Sequence, residues 1–139
     1  MKYGIRPRAS VERLTRAIQG VILFSAVFGV AFLYEVYPQL PSFVFDSLAF
    51  GWVLFVVDGA LTFVRPRISY YLGFVLAAVA LLATISQPEH YALVAAGDIP
   101  ATITLIVGSA DELLLMGLVV AYHFTARAKD PWAWPNSKS

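Results

Sequence analysis

Cysteine is absent from this 139-residue chain. That excludes a disulfide framework, thiolate metal sites, iron–sulfur ligation and a cysteine nucleophile. Histidine is almost absent: only His90 and His123 occur. No GxSxG, P-loop, HExxH or glycine-rich nucleotide motif is present, so the common hydrolase, nucleotide and zinc-protease signatures are missing. Charge is scarce as well. Only 14% of residues are charged, whereas soluble domains carry about 25%. The scarcity is patterned, because no lysine or arginine lies between Arg16 and Arg65 or between Arg67 and Arg127.

Apolar residues fill those gaps. Hydrophobic side chains make up 59% of the sequence, and the mean hydropathy is +0.71. Lipid is therefore the expected solvent. The spacing predicts an all-α membrane protein, an up-down bundle of four transmembrane helices in a single integral membrane domain. The spans fall at about 17–36, 43–64, 68–86 and 103–126, with an outer loop at 87–100 and cytoplasmic tails at 1–12 and 127–139. The first run is longer than a signal-peptide core and no small-residue cleavage site follows it, so it is expected to be a retained span. Ser10 is the expected N-cap of its helical extension. YPQLPS, 37 to 42, ends that helix through two prolines. RPR, 65 to 67, makes a tight turn, and the middle of QPEHYALVAAGDIP is expected to form a short interfacial helix.

Four crossings place all ten basic residues on one side of the membrane. The positive-inside rule then makes both termini cytoplasmic. The acids distribute the other way. Counting about 1.5 Å per residue through a core of about 30 Å puts Glu35 and Asp46 close to the outer boundary, roughly 27 Å up. The same count leaves Asp111 and Glu112 roughly 22 Å up, in the outer mouth of the bundle. Adjacent helical residues point about 100° apart. Glu112 shares its face with Gly108, Ser109, Met116 and His123 and is the one expected to face inward; Asp111 shares its face with Thr104, Leu115, Leu118 and Tyr122.

Asp58 lies deepest, roughly 10 Å above the inner edge. A carboxylate there is expensive unless it faces the bundle interior and finds a partner. Gln19, Thr62, Tyr70, Tyr122 and His123 are available at similar depth, and an Asp58–His123 pair is the sharpest expectation. An intramembrane polar cluster of Asp58, His123, Thr62 and Gln19 follows. Gly73, Ala77, Ala80 and Thr84 form a small-residue stripe of the kind that lets helices approach closely in lipid. Ser25 and Gly29 form a similar pair. Trp132 and Trp134 are expected to anchor the tail at the interface.

Three function classes are compatible with these features. The first is a non-catalytic subunit packed within a larger membrane complex. The second is an oligomeric small transporter or channel using an intramembrane carboxylate for a proton or cation. The third is an intramembrane enzyme built on Asp58 and His123. Because the histidines fall on opposite sides, bis-histidine haem ligation within one chain is excluded. No cofactor or metal is implied. Expected partners are the lipid bilayer and other membrane subunits or copies of the chain, with no nucleic acid.

Overall fold

The computed structural model describes residues 7–37 and 41–127. Trp132 and Trp134 lie outside them. Five helices follow in order: α1 (Pro7–Val36), α2 (Ser42–Val64), α3 (Pro66–Ser86), α4 (Pro88–Ala95) and α5 (Ile99–Arg127). All except α4 are long and apolar enough to cross a bilayer. The chain is thus an all-helical, multi-pass integral membrane protein.

Local chemistry sets the helix limits. Pro66 and Pro88 stand at the first position of α3 and α4, where the missing N–H is not needed and φ is already helical. A residue before proline is pushed out of the helical region. Arg65, with φ −137° and ψ 69°, is accordingly the single non-helical residue between α2 and α3. Gly97, at φ +80°, supplies the left-handed conformation that reverses the chain between α4 and α5. Asp98 then accepts a hydrogen bond from the Ala101 N–H at 2.9 Å, capping α5 and starting it at Ile99, ahead of the expected span boundary at 103. Ser10 does not cap α1, because the helix already begins at Pro7.

Successive long helices run antiparallel. Gln19 meets Thr62 and Gly29 meets Trp52 across α1 and α2. Ser69 meets Asp58 across α3 and α2, and Ser25 meets Asp111 across α1 and α5. Contacts run α1–α2, α2–α3, α3–α5 and α5–α1, closing a four-helix ring, while α4 rests on α5. Arg13, Arg16, Arg65, Arg67 and Arg127 therefore gather at one end of the bundle, and Glu35, Asp46, Glu89 and Asp98 at the other.

Ile18, Ile22, Phe55, Tyr70, Ala77, Leu115 and Val119 form the core. The outward faces are apolar too, with Val27, Phe50, Phe63, Val79 and Phe124 largely exposed. That distribution fits lipid as the surrounding solvent, where both faces of a helix are apolar and small residues set the close contacts. The stripe on α3 points inward. Gly73 and Ala77 are buried, while Ala80 and Thr84 are half-buried.

Candidate functional site

Two polar features lie inside the ring, one above the other. The lower one is Asp58, which is 0% exposed. Its position follows from a close approach of α2 to α3. A Cβ added at Gly73 would stand 2.8 Å from Asp58 Oδ2 and 3.3 Å from Ile22 Cδ1, so only glycine leaves the carboxylate its space. Ser69 Oγ donates to the Asp58 backbone carbonyl at 3.1 Å and fixes the register of the two helices. Neither carboxylate oxygen has a partner that meets full hydrogen-bond geometry among the described residues, and the same holds for the buried hydroxyls of Thr62 and Tyr70, although the Ser69 hydroxyl lies near the Asp58 carboxyl and the Thr15 hydroxyl near Tyr70. Gln19 Nε2 reaches the Thr62 carbonyl at 3.3 Å. Tyr70 packs edge-on against Tyr122, with ring centroids 5.0 Å apart.

The expected Asp58–His123 pair is not formed. His123 turns instead to Tyr71, whose hydroxyl lies 2.8 Å from Nδ1 at an exposed position. It donates there when the imidazole proton is on Nε2. The two residues share a depth but not a direction around the bundle. Of the expected inner cluster, the structure brings together Asp58, Thr62 and Gln19 and leaves His123 apart.

The upper feature is a cavity of about 560 Å³ lined by all four long helices. Phe28, Phe32, Trp52, Phe55, Leu76 and Leu105 supply much of its apolar wall, and Ser47, Thr84, Gln87 and Thr104 add hydroxyl and amide groups. Among the described residues its charged lining groups are Asp111 and Glu112, with no lysine, arginine or histidine. Trp52 is held in place by its indole N–H, which donates to the Ala26 carbonyl at 2.7 Å. Its ring lies so near Gly29 that a Cβ there would fall 2.5 Å from Trp52 Cδ1. Phe50 and Val79 also line the cavity and are 66% and 60% exposed. The cavity therefore reaches the lipid-facing surface between α2 and α3.

Asp111 and Glu112 differ in their attachments. Ser25 Oγ stands 2.5 Å from Asp111 Oδ2 and 3.0 Å from the Val21 carbonyl. Having one proton, Ser25 donates to an ionised Asp111, or accepts from a protonated one while donating to Val21. Asp111 is satisfied in either state. Glu112 Oε2 is enclosed without a partner among the described residues. The inward face of α5 carries Asp111, Leu115 and Val119, all buried, which corrects the expectation that Glu112 alone faces inward. Both acids line the cavity, and Asp111 is the less solvent-exposed of the two. Glu35 is half-buried, Asp46 is exposed, and neither lines the cavity.

The cavity, the Ser25–Asp111 contact and the lodging of Trp52 against Gly29 are not among the sequence expectations. A signal for the last was present: an indole in mid-span needs an acceptor, and the Ser25/Gly29 pair marks a close approach on α1. No group of three or more histidine, cysteine or acidic side chains suited to a metal ion occurs among the described residues. The chain matches no protein-family model, no curated protein and no solved structure.

Proposed function

We propose that this chain is a small membrane carrier that takes a hydrophobic organic cation into its four-helix cavity. The observation that carries this reading is the pairing of an apolar, aromatic-walled cavity with two carboxylates and, among the described residues, no basic group. Ligand sites are typically clefts of about 300–1,000 Å³ with mostly apolar walls and a few placed polar groups. Carboxylates without counter-charges favour a cation. Aromatic faces such as those of Trp52, Phe28 and Phe55 attract one through their ring quadrupoles. Asp111, anchored by Ser25, fixes the negative charge, and Glu112, with an oxygen left over, offers the contact. The opening beside Phe50 and Val79 gives a lipid-dissolved molecule a route in from the bilayer.

The positive-inside rule supports cytoplasmic termini and so an extracytoplasmic level for the cavity. The reading as a subunit of a larger complex draws on the lack of catalytic motifs and on packing stripes. On α3, however, the stripe is used within the chain, against Asp58 and around the cavity. The enzyme reading loses its basis with the Asp58–His123 pair. A carrier built from several copies is tested by the mass of the purified particle.

The direct test is equilibrium binding of tetraphenylphosphonium to purified protein in detergent. Saturable binding near one cation per chain is expected, weakened at least about tenfold, or about 1.4 kcal/mol, by Glu112→Gln. Absence of saturable binding, or full affinity in Glu112→Gln and Asp111→Asn alike, contradicts the proposal.

A further inference from the structure

Among the described residues, the enclosed side-chain oxygens and nitrogens without a partner of full hydrogen-bond geometry are few: both oxygens of Asp58, Thr62 Oγ1, Tyr70 Oη and Glu112 Oε2. Most of them lie beneath the cavity, on facing surfaces of α2 and α3. Each buried polar group without a protein partner calls for an explanation, because burial is costly for a group whose hydrogen bonds are not replaced. Asp58 calls for one most strongly, since a bare carboxylate in an apolar interior is the costliest of these groups.

Closest about it stand Ile22 from α1 and Ser69 and Gly73 from α3, with Tyr70 one turn away and packed on Tyr122 of α5. The titratable ones are the two tyrosines, and none is cationic. Neutralisation therefore does not come from a salt bridge. A metal ion needs a shell of several oxygens at about 2.3–2.6 Å, whereas Gly73 packs directly against Oδ2, with Ile22 Cδ1 beside the same spot. A proton needs no such shell.

Vertical order adds the second element. Phe55 and Leu76, which line the cavity floor, lie three residues from Asp58 and Gly73 on the same helices, a rise of about 4.5 Å. On the other side, Thr62 follows Asp58 by one turn and Tyr70 precedes Gly73 by one turn of the antiparallel α3. Both hydroxyls are therefore displaced toward the basic end. They are buried to 1% exposure and neither is hydrogen-bonded to Asp58 or to the other; each hydroxyl, being donor and acceptor at once, would relay a proton by turning.

We infer that Asp58 is a proton-binding site that exchanges its proton, through Thr62 and Tyr70, with the basic end of the bundle, in linkage with the cation held in the cavity above. A cation one helical turn away favours the ionised Asp58. By reciprocity, a proton on Asp58 weakens the cation's binding. The exchange balances: the O–H bond of the Asp58 carboxyl breaks, its electron pair stays on Oδ, and the proton leaves as the cation arrives. This inference rests on the cavity reading for its ligand but not for the proton site itself.

Two measurements separate the two. The first counts protons released per tetraphenylphosphonium bound, from binding enthalpies in buffers of different ionisation enthalpy, for the unaltered protein and Asp58→Asn. Both are expected to bind, with proton release reduced in Asp58→Asn. Equal release from both overturns the coupling while leaving the cavity reading in place. The second is infrared difference spectroscopy across a pH titration in an Asp111→Asn/Glu112→Gln background. A carboxylic C=O band is expected there and lost on adding Asp58→Asn. A band unaffected by Asp58→Asn, or absent at every pH, overturns the proton site even if no cation binds. Thr62→Val is expected to keep the band and slow its hydrogen–deuterium exchange; unchanged exchange in both Thr62→Val and Tyr70→Phe overturns the path through these hydroxyls.

Discussion

Gly73 and Asp58 make one contact that neither residue explains alone. The carboxylate occupies the volume where a Cβ on α3 would sit, with Oδ2 only 2.8 Å from that point and Ile22 Cδ1 3.3 Å from it. Gly73→Ala is therefore expected to destabilise the protein by about 1–3 kcal/mol, the usual cost of overpacking a filled interior. The same substitution in an Asp58→Ala background, where the obstructing oxygen is gone, is expected to cost clearly less. Thermal unfolding in detergent, arranged as a double-mutant cycle, reads the coupling. Additive effects would show that the close approach is not what requires glycine. Lodging of this kind is hard to read from sequence. The glycine was legible as part of a small-residue stripe, but nothing in its spacing says that its partner is an aspartate on α2.

On the scale of the helix, α3 divides its small face between two tasks. Gly73 and Ala77 are buried against neighbouring helices, whereas Ala80 and Thr84 line the cavity. Ala77→Leu is expected to lower the unfolding temperature sharply, since Ala77 is 0% exposed and its neighbours have no room to yield. Ala80→Leu is expected to leave folding nearly intact and to displace the cation by filling its space. If both variants lose stability alike, the division along α3 is wrong. Helix number and helix ends were legible because prolines, basic residues and apolar run lengths record them directly. The directions in which helices face were less so. In lipid the outward face is as apolar as the inward one, so hydrophobic periodicity hardly separates them. Depth could be counted for Asp58 and His123 at about 1.5 Å per residue, but direction around the axis could not, and the pair expected from depth did not form. The direction of Asp111 is hidden for the same reason: its buried face, continued by Leu115 and Val119, reads in sequence as ordinary apolar helix.

For the whole molecule, the ring α1–α2–α3–α5 places basic side chains at one end, an isolated acid beneath the cavity, and the carboxylate pair in the cavity wall. If the basic end is cytoplasmic, reporters fused at residue 1, in the 65–67 turn and at residue 139 are all expected to be inaccessible from outside, and reporters in 37–42 and 87–98 accessible. Termini found on opposite faces would contradict both the orientation and the direction assigned to proton exchange. The central claim, that the cavity selects by charge, is tested most directly with two molecules of nearly one shape. Tetraphenylphosphonium and tetraphenylborate differ chiefly in the sign of their charge. The purified protein is expected to bind the cation saturably and to bind the anion at least about a hundredfold more weakly, a difference of about 2.8 kcal/mol. Equal affinity for the two would mean that the cavity responds to apolar surface alone and that Asp111 and Glu112 do not define its ligand.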